Sequence, residues 1–449
     1  MRPISPTMKA AFRDDSVRKF YGLQFLYDED VPEDQRIEDI TNEDITQESL
    51  HLVEPLCSED QLKFGKCESS SIEFEMLNYY ESMNGMLFDL YLVLEGCEEE
   101  EPFMVGRYAI DGETVSNDKK TTQITAYDNM YFLRDLDVTD WYYNEISFPM
   151  TIGQIRNSLF NYLGANQESI NLINDNITIP SGPLDGENVI TFAMIMEPIC
   201  EVNGVFGHFG RDAIFHYVSL DVVDDEETYP SEDTYPSKNL YPKSIRGKYY
   251  NYPKDLCHSD MWWENYKCKP IDKVQARDKT GAAICEYSIS GRESGTNIYV
   301  IQENWVLYEL DVSTIQTLIS RFAEKVKNIT YTPCEIDVKM DLSMEVGDGI
   351  TFTTTTNQLI TTYILRREMN GIHSAVDSFE SLGYEEYVNS SPNTDGAISE
   401  LQDQITDLAN QVSDIGQQYS NIRIISTRSL PSSPEKNVLY LIQGTVYVN

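Results

Sequence analysis

"SSIEFEMLN", residues 70–78, decides the fold class, because it alternates apolar and charged side chains with the period of a β-strand. Its apolar residues share one face and its glutamates the other: Ile72, Phe74 and Met76, then Glu73 and Glu75. "LFDLYLVLEG" at 87–96 and "TTQITAYD" at 121–128 have the same period. The N-terminal third of the chain is therefore predicted to be a sheet curled on itself.

Later stretches change to the period of an amphipathic helix. "TIGQIRNSLFNYLG" (151–164) and "STIQTLISRFAEKVKN" (313–328) each place their apolar residues on one face. "TFAMIMEPICEV" (191–202) does the same, and its Pro198 is expected in the first turn or at a kink. A short helix is also predicted near the N-terminus, where Ser5 and Pro6 suit a cap and a first turn. The fold class is α+β, mainly β.

Three hairpins and one strand–turn–strand segment are predicted downstream. "GVFGHFGRDAIFHYVSL" (204–220) alternates as two strands, and "CEIDVKMDLSMEVGDGITFT" (334–353) places two strands around a tight turn at its GDG segment. Asn370-Gly371 is a strong hairpin signal. "NVLYLIQGTVYVN" predicts a last hairpin that turns at Gln443-Gly444.

The charge of the chain limits its partners. The sequence has 34 Lys plus Arg against 74 Asp plus Glu, a formal charge of −40, so the protein repels polyanions and is not expected to grip nucleic acid. The acidic runs are typical of solvated loops. No stretch approaches the roughly 18 apolar residues of a membrane span, and "MRPISPTMKAAFRDDS" lacks the apolar region of a signal peptide. No membrane anchoring is expected, and the sequence predicts a protein that begins in a cytoplasm.

Candidate sites for catalysis or cofactors are weak. The eight cysteines have no framework spacing, so free and mostly buried thiols are predicted. Cys257, His258 and Cys268 carry atoms that zinc could use but make an incomplete ligand set, so no metal is expected. Trp262, Trp263 and Tyr266 could form a stacking surface, although a buried aromatic cluster is favoured. We predict no cofactor.

Of all stretches of the sequence, "GHFGRDAIFHY" comes closest to the residue pattern of an active site. His208 and His216 flank Arg211 and Asp212, which could serve as acid and base, but alternation along a strand explains both histidines. The glycines at 204, 207 and 210 have the wrong spacing for a phosphate loop and are interpreted as turn glycines. The sequence predicts that the protein is not an enzyme.

A coiled coil is predicted at residues 397–422, where apolar residues recur with a strict three-four spacing. The seam is the predicted oligomerisation site, and it consists of Ile398, Leu401, Ile405, Leu408, Val412, Ile415, Tyr419 and Ile422. Its composition fits a dimer or a trimer, and an amphipathic helix packed on its own domain is the alternative. Three heptads are marginal alone, so larger domains are expected to support the same assembly.

The order of these segments resembles a known family, the tail hub proteins of bacteriophages and tailocins, also called baseplate hub or tail-associated proteins. Four stretches over residues 1–385 carry the resemblance: "LCSEDQLKFGKCESSSIEFEM" (56–76), "TTQITAYDNMYFLRDLDV" (121–138), "TFAMIMEPICEVNGVFGHFGRDAIFHYVSL" (191–220), and residues 314–381 with "MEVGDGITFT". The resemblance implies two β-barrel-like tube domains with small α/β lobes, followed by a trimeric coiled coil and the terminal β-hairpin. The implied divisions are a first tube β-domain at 1–148, an α/β lobe at 149–220, a Tyr-Pro-rich crossing at 221–269, a second tube β-domain at 270–385, a linker at 386–396, the coiled coil at 397–422 and a docking hairpin at 423–449.

The resemblance also implies a function and a set of partners. A homotrimeric hub closes the tail tube, adapts six-fold to three-fold symmetry, and passes the tape measure protein and DNA without binding DNA specifically. Its neighbours would be the distal tail or tail tube protein ring and a tip spike or fibre, in a virion assembled in the cytoplasm of the host bacterium. Two other classes stay open: a trimeric surface adhesin, which predicts a signal peptide, and a cell-wall hydrolase of a tail tip, which predicts a zinc set or a Cys-His dyad.

Overall fold

The computed structural model describes residues 4–14, 16–27, 36–37, 39–46, 48–77, 83–97, 102–116, 120–182, 184, 186, 189–220, 250–252, 254–371, 376–387, 423–426, 438–442 and 445–448. The chain forms two compact units, residues 1–388 and residues 389–449. No helix in the described ranges is long and apolar enough to cross a membrane.

The described part of the first unit contains five α-helices: α1 (Pro6–Arg13), α2 (Asn129–Arg134), α3 (Ile152–Leu163), α4 (Phe192–Val202) and α5 (Val312–Val326). A short π-helix (Trp141–Glu145) and two 3₁₀ turns (Lys254–Leu256 and Trp305–Leu307) accompany them. The predicted cap of α1 is confirmed, since the Ser5 hydroxyl accepts a hydrogen bond from the Met8 amide at 3.0 Å. α3 begins with a capping box of Thr151 and Gln154 and ends at Gly164, whose φ of 63° few other residues tolerate.

Most strands of the first unit precede α5. They are β1 (Lys19–Leu26), β2 (Ile40–Thr41), β3 (His51–Pro55), β4 (Ser71–Met76), β5 (Leu87–Leu94), β6 (Phe103–Val115), β7 (Thr122–Tyr127), β8 (Met150–Thr151), β9 (Thr178–Ile179), β10 (Phe206–Phe209), β11 (Phe215–Val218), β12 (Tyr250–Asn251), β13 (Cys257–Trp263), β14 (Lys273–Arg277), β15 (Ala283–Ser288) and β16 (Ile298–Ile301). After α5 come β17 (Cys334–Lys339), β18 (Gly349–Thr353), β19 (Leu359–Tyr363), β20 (Arg366–Asn370) and β21 (Val376–Ser381).

One large antiparallel sheet organises the first unit. Its order is β13-β17-β21-β20-β3-β4-β7-β6-β5-β1-β2, eleven strands in all. The chain is α+β and mainly β, and this sheet curls into a half-barrel, as the sequence predicts. β20 pairs with β3 from Arg366↔Pro55 to Asn370↔His51, so strands from the two predicted tube domains share one continuous sheet.

Smaller sheets surround this frame. β10 and β11 form the predicted hairpin, β8 pairs with β9, and β14 lies between β15 and β16. β12 pairs in parallel with β18, which also pairs with β19. Residues 250–263, assigned to the crossing on sequence grounds, thus contribute two strands, β12 and the edge strand β13 of the large sheet.

Two apolar cores support the large sheet. The first packs under β1 to β7 and includes Phe74 and Phe88, and it also takes in Met340, Leu342 and Met369 from the C-terminal part of the unit. The second gathers the apolar faces of α3, α4 and α5. The core of the N-terminal sheet is therefore completed by residues more than 200 positions away in sequence.

Three local predictions are refined by the structure. Strands β17 and β18 lie on either side of the GDG segment, as predicted, but they pair with other strands: β17 with β13 and β21, and β18 with β12 and β19. β20 and β21 form the hairpin predicted at Asn370-Gly371, although Asn370 pairs with Val376, so the connection is longer than two residues. Pro198 lies in the interior of α4, which excludes the first turn and leaves the kink as a prediction.

The described residues of the second unit form a three-stranded sheet. β22 (Arg423–Ser426) pairs in parallel with β23 (Val438–Ile442), which pairs with β24 (Thr445–Val448) in antiparallel fashion from Leu439↔Val448 to Ile442↔Thr445. The predicted coiled coil and the two residues between β23 and β24 lie outside the described residues.

Candidate functional site

All eight positions of the predicted oligomerisation seam, from Ile398 to Ile422, lie outside the described residues, so the seam stays a prediction. Within the described residues the most distinctive chemistry is a buried cluster of four charged side chains, which we call the charged joint. Its members are Glu54, Arg211, Arg367 and Asp377.

Three members of the charged joint come from neighbouring strands of the large sheet. Glu54 lies on β3, Arg367 on β20 and Asp377 on β21, and each is buried. The strand register brings them together, because Glu54 is the direct partner of Arg367 in the β3–β20 ladder. Arg367 donates to the Asp377 carboxylate at 2.8 and 3.3 Å and to Glu54 Oε2 at 3.1 Å. The pair β3–β20 is thus joined by side chains as well as by its ladder.

The fourth member reaches the sheet from the β10–β11 hairpin. Arg211 donates from Nη2 and Nε to the two oxygens of Glu54 at 3.1 and 3.3 Å. Nη1 donates to the carbonyl of Leu342, and Nη2 donates to that of Met344 at 3.0 Å. Arg367 Nη1 donates to the same Met344 carbonyl at 3.0 Å. The charged joint therefore ties the hairpin, the sheet and the segment before β18 at a single point.

The joint is balanced in charge. Burial opposes ionisation of Glu54, but the two guanidinium groups outweigh it and lower the pKa of Glu54 to about 2. Burial also opposes the charge of Arg367, yet Asp377 and Glu54 outweigh it and raise the pKa of Arg367. Glu54 and Arg367 therefore stay ionised at neutral pH. The arrangement stabilises a contact between paired buried charges.

The two histidines lie opposite each other, since His208 pairs with His216 across the β10–β11 hairpin. Burial lowers the pKa of His208 to about 4. Burial would also lower that of His216, but hydrogen bonds to Asp212 and Glu168 outweigh it and raise its pKa to about 9. His216 Nε2 lies 3.0 Å from Asp212 Oδ1, and Nδ1 lies 3.4 Å from Glu168 Oε2. A charged His216 and a neutral, buried His208 are poorly suited to proton transfer.

The remaining sequence candidates are separated or satisfied. All eight cysteines are free, and six are buried, as predicted. Cys257 pairs with Val338, whereas Cys268 forms a β-bridge with Tyr331, so the two cysteines lie beside different parts of the chain. No group of side chains that could hold a metal ion occurs in the described residues. Gly207 lies within β10 rather than in a turn, and a Cβ there would lie 2.5 Å from Cys67 Sγ.

The preference for a buried aromatic cluster at Trp262 is wrong. Trp262 is 47% exposed, whereas Trp263 is half-buried. On the edge strand β13, Trp262 pairs with exposed Glu335, while Trp263 pairs with buried Cys334. Neighbouring tryptophans on a strand point to opposite faces, so they cannot share one cluster.

The charged joint was missed by sequence reasoning, although a signal existed. Arg367 has the same strand parity as Leu365 and Met369, both of which are buried. Asp377 has the parity of Phe379, and Glu54 has that of Leu52, so all three charges lie at core-facing positions. A charge at an apolar position of a strand indicates a buried partner of opposite sign.

Another buried carboxyl, that of Glu201, is expected to make the stability of the first unit depend on pH. Glu201 accepts hydrogen bonds from Tyr299 Oη at 3.1 Å and Asn304 Nδ2 at 2.8 Å. Burial outweighs both bonds and raises the pKa of Glu201 to about 7. Between pH 4.5 and 7 the folded state keeps a proton that the unfolded chain loses, so the free energy of unfolding falls as pH rises through this window.

We expect Glu201→Gln to reduce this slope, because glutamine accepts the same hydrogen bonds without ionising. One such group contributes at most about 1.4 kcal/mol per pH unit. Urea unfolding at pH 5, 6, 7 and 8 measures the slope, and Glu309→Gln, at an exposed glutamate, is the control. Burial also raises the pKa of Asp128 to about 7, so the contribution of Asp128 to the slope is expected to remain in the Glu201→Gln variant. An unchanged slope in Glu201→Gln would show that Glu201 is ionised throughout.

The chain was compared with known proteins. No protein-family model and no curated protein sequence matches it. It is similar to the crystal structure of a prophage tail protein from Listeria monocytogenes, with 11% identity, a TM-score of 0.44 and coverage of 86% of this chain and 99% of that one. It is also similar to a 43 kDa tail protein of a Shewanella oneidensis prophage, with 11% identity, a TM-score of 0.45 and coverage of 80% and 97%.

A further similar structure is the Francisella PdpA–VgrG complex, with 12% identity, a TM-score of 0.44 and coverage of 84% of this chain and 60% of that one. The resemblance to phage tail proteins that the sequence indicated is found again among these solved structures. TM-scores below 0.5 do not assign a fold or a function.

Proposed function

We propose that this chain is a structural hub of a phage tail or a phage-tail-like particle. Three copies form a ring that closes the tail tube, adapts six-fold to three-fold symmetry, and passes the tape measure protein and DNA. The hub binds the distal tail or tube ring on one side and a spike or fibre on the other, and it acts without catalysis. It assembles in the host cytoplasm and ends in the virion tail.

The observation that carries this proposal is the open eleven-stranded sheet. Among the described residues, β13 pairs only with β17 and β2 pairs only with β1, so each outer strand has one neighbouring strand in the described part of the sheet. An open edge is a template for pairing with another chain, and a curled sheet that continues into identical copies closes as a ring. The charged joint supports this role, because it fixes the middle of the sheet and lets each copy act as one rigid sector.

Two sequence features support the same proposal. A seam of apolar residues after the last strand of the first unit is where a trimeric ring would narrow to a stalk. A charge of −40 per copy suits a conduit, because an acidic wall repels phosphates and lets DNA slide without binding.

Light scattering of the purified chain tests the proposal. We expect a mass near three copies of the 51.5 kDa chain, and a lower mass for a chain that ends before Asp395. Negative-stain images of the full chain are expected to show rings with a central lumen. A full-length chain that is monomeric at micromolar concentration and shows no rings would contradict the hub.

A further inference from the structure

The surface between β7 and the π-helix exposes an aromatic patch that no element of the first unit covers in the described residues. Tyr131 is 41% exposed, Phe132 42% and Leu136 40%. The two rings touch, with centroids 5.2 Å apart, and Leu136 follows two residues after the end of α2. Single exposed apolar residues are ordinary, but a contiguous group of this kind marks an interaction site.

The patch is held in a fixed conformation by its neighbours. The Tyr131 ring stacks on that of Tyr127 with a centroid distance of 3.9 Å and an angle of 10°. The Tyr131 hydroxyl donates to Asp111 Oδ2 at 2.8 Å, which fixes the far end of the ring. The Tyr131 side chain would therefore lose little conformational entropy when a partner binds it, which is the property of an interface anchor.

Charge around the patch selects the occupant. Asp135, Asp137 and Asp140 are exposed beside it, and Arg134 is the one basic residue within 127–145. These carboxylates repel an acidic partner segment. A basic surface is complementary to this rim.

We infer that Tyr131, Phe132 and Leu136 form a docking surface for a basic, apolar segment of a different protein. Apolar side chains of that segment pack on Phe132 and Leu136 beside the fixed ring of Tyr131. Its lysines or arginines pair with the acidic rim. The inference does not depend on the proposed hub, because each copy of the chain carries this patch whatever the number of copies in the assembly.

The test uses fluorescent 16-residue peptides on the full-length chain. A leucine–lysine peptide is the probe, with a leucine–glutamate peptide and a glutamine–lysine peptide as controls for charge and for apolar contact. Anisotropy is measured for the wild type and for Phe132→Ser with Leu136→Ser. The matched control carries Val312→Ser with Leu359→Ser, which removes two exposed apolar residues elsewhere.

We expect the leucine–lysine peptide to bind the wild type, with affinity at least ten-fold lower in the patch variant and unchanged in the matched control. Binding is expected to weaken with salt and to be weak for both control peptides. Equal binding by the patch variant, or by the glutamine–lysine peptide, would reduce the effect to general attraction to an acidic protein and overturn the inference. A solution mass that falls only in the patch variant would assign the patch to a second copy, which also overturns it.

Discussion

Replacing Arg367 by alanine is expected to lower the free energy of unfolding of the first unit by about 3–5 kcal/mol. The change removes the partner shared by Asp377 and Glu54, both buried, and leaves the Asp377 carboxylate without its guanidinium. Uncompensated buried charge costs far more than a lost surface ion pair. Urea unfolding followed by tryptophan fluorescence at pH 7 measures the loss.

Arg366 supplies a matched control on the same strand. Its guanidinium is partly exposed and pairs with Glu368 and Glu380. Because solvent screens these pairs, Arg366→Ala is expected to cost less than about 1 kcal/mol. Similar losses in the two variants would show that the charged joint contributes no more than a surface pair, and the account of a rigid sector would fail with it.

Two further variants separate the net stability of the buried ion pair from the cost of leaving one buried charge unpaired. Glu54→Gln alone leaves Arg211 with neutral acceptors and weakens the tie between the β10–β11 hairpin and the sheet. Arg367→Leu with Asp377→Leu removes a whole buried pair, and such replacements are often neutral or stabilising in isolation. We therefore expect the charged joint to contribute to the specificity of the β3–β20 pairing more than to net stability, since a slipped register would bury unpaired charges.

What could be predicted from the sequence was local. α3 and α5 were found because their apolar periodicity lies within about four turns, and Ser5 was found because a cap contacts an amide three residues away. The mainly β class and the curl of the N-terminal sheet followed from alternation within single strands. Each of these signals needs only one stretch of chain.

What could not be predicted depends on pairing between distant strands. Glu54 and Arg367 are 313 positions apart, and nothing in either stretch specifies that β3 and β20 are neighbours. The partners of β17 and β18, on either side of Gly347–Gly349, could not be predicted for the same reason, because a tight turn does not say whether the strands on either side pair with each other. Trp262 and Trp263 were grouped by adjacency, whereas strand geometry separates them.

Replacing Ile405 and Leu408 by aspartate is expected to reduce the solution mass of the full-length chain from three copies to one. In the predicted heptad register these residues are consecutive core positions, so in a trimer each layer would hold three carboxylates around one axis. Mutual repulsion and desolvation would cost several kcal/mol per layer, more than a three-heptad seam provides. Light scattering at micromolar concentration measures the change.

The control must add the same charge without entering the seam. Thr406→Asp with Asn410→Asp places two aspartates on the outward face of the same heptad, so the mass of this variant is expected to stay near three copies. If both variants lose mass, added negative charge alone separates an already acidic assembly. If neither loses mass, the edges of the eleven-stranded sheet hold the ring without the seam, and residues 397–422 pack as an amphipathic helix on their own chain. Only a loss confined to the core variant assigns the clamp to the seam, because that outcome alone distinguishes position from charge.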